Sequence, residues 1–131
     1  MRLLWVSALL LAGCASDGAS VASRDQQRLA AELAARVAGA PQTCLPVTLG
    51  PGSLQPVDDR TLVLRQGRTT WVNRLRAACP SLRPVSTIII EVRGSQYCRN
   101  DRFRAVRPGE IIPGPFCVLG DFVPYRTADA R

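Results

Sequence analysis

The chain has 131 residues, of which 17 are basic and 10 acidic, giving a net charge of +7 and a length that suits one small domain. Every basic residue is arginine, and the chain contains neither lysine nor histidine. Without histidine there is no Ser-His or Cys-His nucleophile pair and no usual general base or metal ligand, and without lysine there is no Schiff-base chemistry, so we expect no enzyme, metal or cofactor.

The first 13 residues have the composition of a secretory signal. Arg2 is followed by the nine-residue apolar run Leu3–Leu11, in which only Ser7 is polar, and then by two small residues. A transmembrane helix needs about 20 apolar residues, so this run is too short to span a bilayer. We expect residues 1–13 to be removed.

The sequence Leu11-Ala12-Gly13-Cys14 resembles the lipobox of bacterial lipoproteins. The resemblance implies cleavage before Cys14 and acyl chains, palmitate among them, on that cysteine. Two or three chains, at about 0.8 kcal/mol per buried methylene, hold a small protein stably on a membrane. Because Ala15 and Ser16 follow the cysteine where an inner-membrane retention signal has Asp, we expect the periplasmic side of the outer membrane.

Residues 14–22 are predicted to form a lipidated flexible tether, and residues 23–39 an amphipathic helix. Ser23 and Gln26 have the spacing of a capping box, and Gly39 is a helix stop.

An apolar stripe recurs at every fourth residue of this helix, at Leu29, Leu33 and Val37. Such a stripe needs a surface to cover it. It packs either on the chain's own domain, which we favour, or on a partner protein.

Residues 42–125 carry short apolar runs divided by proline and glycine, which predicts a mainly β domain: a small antiparallel sheet or a partly closed barrel. Six strands are expected: Val47–Leu49, Thr61–Arg65, Thr69–Leu75, Val85–Arg93, Arg102–Val106 and Phe116–Val123. Residues 126–131 are expected to be frayed.

Three of these strands carry the clearest local signals. Gln66-Gly67 predicts a hairpin between the second and third strands, with Leu62 and Leu64 on one face with Trp71. In the fourth strand, alternation places Ile88, Ile90 and Val92 on one face.

Four cysteines follow Cys14, and none belongs to a CxxC pair. In a small exported domain an even number predicts two disulfides. If the strands run up and down in order, Cys44 and Cys98 lie at one end of the sheet and Cys79 and Cys117 at the other. We therefore expect Cys44 to bond to Cys98 and Cys79 to Cys117.

Asp58-Asp59 is the only adjacent pair of carboxylates. It supports the alternative function, an envelope hydrolase that uses Asp58 or Asp59. Adjacent strand residues point to opposite faces, however, so a turn or an ion pair suits these residues better. Asn100-Asp101 is interpreted as a turn in the same way.

Positive charge is concentrated in residues 60–107, which hold 11 arginines and only two acidic residues. Arg102 and Arg104 alternate with Phe103 and Ala105, so a strand would place both arginines on one side. This side is either solvated surface or an anion-binding face. The candidate anion-binding residues are Arg65, Arg68, Arg74, Arg93, Arg102 and Arg104.

Six short motifs occur in order between residues 44 and 124. They are Cys44-Leu45-Pro46, Val57-Asp58-Asp59-Arg60-Thr61-Leu62, Val72-Asn73-Arg74-Leu75, Cys79-Pro80-Ser81-Leu82, Cys98-Arg99-Asn100-Asp101 and Cys117-Val118-Leu119-Gly120-Asp121-Phe122. The set resembles a family of small uncharacterised proteobacterial envelope lipoproteins. This chain has Ser81 where the family has glycine. The resemblance implies an envelope location and disulfides, and no activity.

The sequence thus predicts a lipid-anchored, non-enzymatic binding or structural module with a basic face. Its expected partners are the membrane, through Cys14, and anionic lipid, lipopolysaccharide or peptidoglycan; nucleic acid is not expected. A further class, an inhibitor of lysozyme, is disfavoured because lysozymes are themselves strongly basic and would be repelled.

Overall fold

A computed structural model describes residues 18–47 and 53–128. The described residues form a helix and ten strands: α1 (Gly18–Ala34), β1 (Arg36–Ala38), β2 (Cys44–Pro46), β3 (Gln55–Pro56), β4 (Thr61–Gln66), β5 (Thr69–Arg74), β6 (Thr87–Ile90), β7 (Gln96–Cys98), β8 (Arg102–Val106), β9 (Cys117–Val118) and β10 (Phe122–Thr127). The strands pair antiparallel in three sheets, ordered β1-β10-β5-β4-β3, β2-β7 and β6-β8-β9. The predicted fold class, mainly β with one N-terminal helix and two disulfides, is confirmed.

The predicted signal and Cys14 lie outside the described residues. Within the described part of the chain, no helix has the length and apolar character needed to cross a membrane.

Helix α1 begins and ends earlier than the sequence predicts. Residues 18–22, expected in the tether, are helical, and Ser23 therefore lies inside the helix. At the other end, Arg36–Ala38 forms β1, which pairs with the last three residues of β10. The Gly39 N–H then donates to the carbonyl of Pro124 at 2.7 Å. Pairing with the edge of a sheet outweighs the helical propensity of these residues.

The apolar stripe is divided between two elements. Leu29 is buried against Val63 and Val72 of the five-stranded sheet, and Leu33 packs against the same cluster. Val37 is 61% exposed and lies in β1, outside the helix. The three side chains do not form one surface for a partner, because the two leucines are covered by the chain's own sheet.

The β4–β5 hairpin forms as predicted. Gly67 has a φ of +55°, a left-handed conformation that glycine adopts without a steric penalty. Leu62, Leu64 and Trp71 share the larger apolar core, whereas Val63 faces α1. Both faces of this hairpin are therefore buried, which makes it the centre of the fold.

The first and fourth predicted strands are displaced. Cys44–Pro46 forms β2 in place of Val47–Leu49, of which residues 48–49 lie outside the described residues. The fourth strand is confined to Thr87–Ile90. Ile88 and Ile90 pack against the core as expected, but Val92 lies beyond the strand and is exposed.

The predicted strand Phe116–Val123 is two strands in different sheets, β9 and β10. Arg126 and Thr127, expected to be frayed, pair with β1 as part of β10. Residues 129–131 lie outside the described residues. The chain changes sheets at Gly120, whose backbone is held by a buried side chain of β5.

That side chain is Asn73. Its Nδ2 donates to the Gly120 carbonyl at 2.8 Å, and its Oδ1 accepts from the Gly120 N–H at 2.8 Å. A Cβ at Gly120 would lie 2.1 Å from the carbonyl oxygen of Arg74, so only glycine fits this close approach.

Both disulfides have the predicted partners, Cys44 with Cys98 and Cys79 with Cys117. The position predicted for Cys44 was wrong, because Cys44 does not precede the first strand of one sheet. It lies in β2, directly opposite Cys98 in β7.

Candidate functional site

The three-stranded sheet has one buried and one solvent-facing side. In β8, Phe103 and Ala105 are fully buried, while Arg102 is exposed and Arg104 half-buried on the opposite side. Directly opposite residues of antiparallel strands share a face.

The register places Ile89 of β6 beside Arg104 and Val118 of β9 beside Arg102. We call this side, with the adjoining Phe116, the outer face.

Phe116 organises the two arginines of the outer face. The guanidinium carbon of Arg102 lies 4.1 Å from the centroid of the ring, and that of Arg104 lies 5.0 Å from it. Guanidinium groups are attracted to the negative face of an aromatic ring at these distances. Because Phe116 is 48% exposed, the ring holds two positive charges side by side at the surface.

Arg104 also has a structural role. Its Nε donates to the carbonyl of Gly114 at 2.7 Å, and its Nη2 donates to the carbonyl of Pro113 at 2.9 Å. The Gly114 N–H donates in turn to the carbonyl of Ala105 at 2.9 Å. Arg104 therefore ties the segment between β8 and β9 to the sheet and has only part of its guanidinium left for a ligand.

A groove of about 470 Å³ adjoins the outer face at Arg102. Its lining is rich in charge and consists of Glu91, Arg93, Arg99, Asn100, Asp101 and Arg102. We call it the arginine groove. Three arginines and two carboxylates give the lining a net positive charge.

The three arginines of the groove differ in how far they are neutralised. Arg102 pairs with Glu91 at 3.2 Å, and both side chains are more than half exposed. Arg99 pairs with Asp121 at 3.3 Å, while its buried Nε has no hydrogen-bond partner among the described residues. Arg93 is exposed and makes no ion pair with any residue that the structure describes. The exposed guanidinium groups of Arg93 and Arg102 therefore offer N–H donors to an added anion.

Arg99 was not among the predicted site residues. Its neighbours fix its position: Cys98 is in a disulfide, and the Cys98 N–H donates to Asp101 Oδ2 at 2.7 Å. Asn100 between them has a φ of 72°, so the turn predicted at Asn100-Asp101 is present. The sequence signal for Arg99 was its place between a cysteine and a turn.

The other predicted arginines lie elsewhere. Arg65, Arg68 and Arg74 belong to the β4–β5 hairpin of the five-stranded sheet, apart from Arg93, Arg102 and Arg104. The six residues therefore do not form one face. The sequence could not show this, because it does not say which strands share a sheet.

Arg65 is engaged in holding the helix. It pairs with Glu32 of α1 at 2.8 Å and donates to Gln55 at 3.0 Å. Its hydrogen bonds to Glu32, with that of the Thr70 hydroxyl at 2.6 Å and the charge of Arg36, hold the pKa of the Glu32 carboxyl below its ordinary value, against the opposing effect of burial. This cluster links helix to sheet, and the charge of Arg65 is used in the ion pair with Glu32.

A second groove, of about 740 Å³, lies between α1, β3, β6 and β7. Its apolar lining includes Leu54, Val63, Ile88, Ile90 and Tyr97, with Arg28 and Arg65 among the polar residues. The buried side-chain polar atoms that lack a hydrogen-bond partner among the described residues belong to Ser81, Arg99 and Thr127, and none of these residues lines this groove.

The two adjacent carboxylates lie outside both grooves. Asp58 Oδ1 accepts from the Arg60 N–H at 2.7 Å, and Oδ2 accepts from Gln26 at 2.9 Å. Asp58 thus closes a turn and binds α1. Within residues 18–47 and 53–128, no cluster of three or more Cys, Asp or Glu is placed to hold a metal ion.

The sequence profile of a family of unknown function (DUF6491) matches residues 1–119, and the chain belongs to this family. The match includes all five cysteines and the whole outer face. No curated protein and no solved structure matches the chain significantly. Membership confirms the expectation of an uncharacterised family and assigns no activity.

Proposed function

We propose that the protein is a non-enzymatic proteobacterial lipoprotein, held at the outer membrane by acyl chains on Cys14, whose outer face and arginine groove bind anionic groups of the envelope. The observation that carries the proposal is the juxtaposition of Arg102 and Arg104 over Phe116 with Arg93 and Arg99 in the adjoining groove. The lipobox supports the anchor. Two disulfides support an oxidising compartment.

The chemistry of the ligand follows from the donors. Guanidinium groups bind phosphate and carboxylate bidentately, and a planar fork of N–H donors suits both. An exposed ion pair such as Arg102–Glu91 is worth at most about 1 kcal/mol, so an incoming oxyanion can replace the carboxylate. Lipid phosphates, lipopolysaccharide phosphates and peptidoglycan carboxylates share this chemistry and occur at the proposed location.

Vesicle sedimentation tests the proposal. The protein is the oxidised mature chain, residues 14–131, with Cys14→Ser so that no lipid anchor contributes. We expect binding to phosphatidylglycerol-containing vesicles, little binding to phosphatidylcholine vesicles, and weaker binding as salt rises, because exposed charges are screened over about 8 Å at physiological ionic strength. Measurable but equal binding to both vesicles, or binding that ignores salt, would contradict the proposal, as would the absence of binding to vesicles, lipopolysaccharide and peptidoglycan fragments alike.

Paired variants locate the charge. Arg93→Gln with Arg102→Gln should weaken binding several-fold. The matched control, Arg68→Gln with Arg126→Gln, removes the same charge from exposed side chains of the five-stranded sheet and should have little effect. An equal loss in both pairs would show that net charge, and not this site, attracts the vesicles. Arg104 is kept, since its removal would also release the segment that it ties down.

Mass spectrometry of the mature N-terminus tests the anchor separately. We expect a diacylglyceryl-modified Cys14 as the first residue of the protein purified from its own membranes, and a Cys14→Ser chain that leaves the membrane fraction or stays uncleaved. A free Cys14 thiol in the unsubstituted protein would contradict the location.

A further inference from the structure

The segment between β8 and β9 holds two isoleucines in solvent. Ile111 is 94% exposed and Ile112 is 75% exposed, more than the other large apolar side chains of the described residues. The apolar side chains of the outer face, Ile89, Phe116 and Val118, are about half exposed. Exposed apolar groups beside one another mark a surface that meets a protein or a membrane.

The segment is held in this arrangement by its own contacts. Arg104 binds the carbonyls of Pro113 and Gly114 on the side that returns to the sheet. On the outgoing side, the Glu110 N–H donates to the carbonyl of Arg107 at 3.0 Å, and their side chains pair at 3.1 Å. The isoleucines between these points are thus presented by an ordered turn, which lowers the entropy lost when they bind.

The charges around the isoleucines identify what covers them. A second copy docked by the same face would bring Arg102 and Arg104 against their own equivalents, which like-charge repulsion disfavours. An anionic bilayer offers phosphates at its surface and an apolar layer below it. Arg104 is half-buried on the sheet, whereas Ile111 and Ile112 are largely exposed. A bilayer can therefore place its phosphates against the arginines and its apolar layer around the isoleucines.

We infer that Ile111 and Ile112 insert past the headgroups of an anionic phospholipid bilayer to the boundary of its acyl chains, while Arg102 and Arg104 contact its phosphates. This inference rests on the proposed function and adds the source of the anion and the orientation of the domain. The lipid on Cys14 and this segment would then form two attachments to the same membrane, and two attachments bind more stably than either alone.

A tryptophan reporter tests insertion directly. Ile112→Trp, in the mature Cys14→Ser chain, adds one fluorophore to a chain whose other tryptophan, Trp71, is only 7% exposed. With vesicles of phosphatidylglycerol and phosphatidylcholine we expect a blue shift of the new emission and its quenching by lipids brominated on the acyl chain. Sedimentation of the protein with these vesicles, without a shift or quenching, would overturn the inference.

Serine substitutions measure how much Ile111 and Ile112 contribute to binding. Ile111→Ser with Ile112→Ser should weaken binding to the same vesicles at least about tenfold, since burying even half of two isoleucine side chains is worth more than that factor. Val37→Ser is the matched control: it removes a 61% exposed apolar side chain from the five-stranded sheet and should leave binding within about twofold. Circular dichroism verifies that each variant is folded.

The outcomes separate this inference from the proposed function. If the serine variant binds anionic vesicles as the parent does, with the same salt dependence, the inference is overturned and the proposed function stands. If the parent binds lipopolysaccharide or peptidoglycan fragments in a salt-sensitive way but no phospholipid vesicle, the result is the same. If the parent binds none of these, both are overturned. The inference is also overturned if the parent binds no vesicle but binds a soluble protein, and the double serine variant loses that binding. Ile111 and Ile112 would then contact a protein partner.

Discussion

The buried pairing of Asn73 with the Gly120 backbone should be one of the most sensitive points of the fold. Asn73 has no exposed surface, and its amide satisfies both backbone groups of Gly120 at 2.8 Å each. Asn73→Ala leaves a buried N–H and a buried carbonyl without partners. At roughly 1–3 kcal/mol for each unsatisfied group, we expect a loss of about 3 kcal/mol in the free energy of unfolding.

Asn73→Asp distinguishes this hydrogen-bond pair from simple packing. The carboxyl has nearly the shape of the amide and still accepts from the Gly120 N–H, but when ionised it cannot donate to the Gly120 carbonyl. Burial raises the pKa of the introduced carboxyl, and its neutral form donates again. The variant should therefore be strongly destabilised at neutral pH, and its deficit relative to the parent should shrink as the pH falls and the carboxyl becomes protonated.

Urea unfolding of the oxidised chain, followed by circular dichroism, measures both variants. Asn100→Gly serves as a control, because Asn100 is exposed and has a positive φ that glycine adopts freely, so the change should stay within about 0.5 kcal/mol. A loss below about 1 kcal/mol for Asn73→Ala, or a deficit of Asn73→Asp that does not depend on pH, would refute the reasoning: Gly120 would then have found other partners.

Two further predictions concern the links between elements. Because the pKa of Glu32 is lowered, its bonds to the sheet stabilise the fold at pH values above the ordinary pKa of a glutamate, and this stability is lost as the pH falls through the folded-state pKa. The difference in urea midpoint between the parent and Glu32→Gln should therefore be largest near neutral pH and diminish in acid. Each disulfide should contribute up to about 4 kcal/mol through chain entropy. The Cys79–Cys117 bond closes a loop of 38 residues, against 54 for Cys44–Cys98. Its removal by paired serine substitutions should nevertheless lower the urea midpoint more, because both of its cysteines are buried. An equal or smaller shift would show that loop length decides the size of the effect.

The sequence determined those features whose signals are local. The β4–β5 hairpin follows from a glycine turn between two alternating strands, and the burial of Phe103 follows from its alternation with Arg102 in β8. Both depend on the two-residue period of a strand and on contacts between residues close in sequence, and neither depends on how the rest of the chain folds. The even set of cysteines predicted two disulfides for the same reason, since their number does not depend on topology.

The tertiary structure decided what depends on distant partners. Arg36–Ala38 is a strand only because β10 lies beside it, some 90 positions along the chain, and no local pattern contains that partner. Arg65 was predicted to bind anions with Arg102, yet it lies in another sheet and is bound to Glu32. Strand pairs and ion pairs form between segments that are distant in sequence and that only the fold brings together. The tertiary structure, and not the sequence pattern, therefore decides where the arginine groove lies.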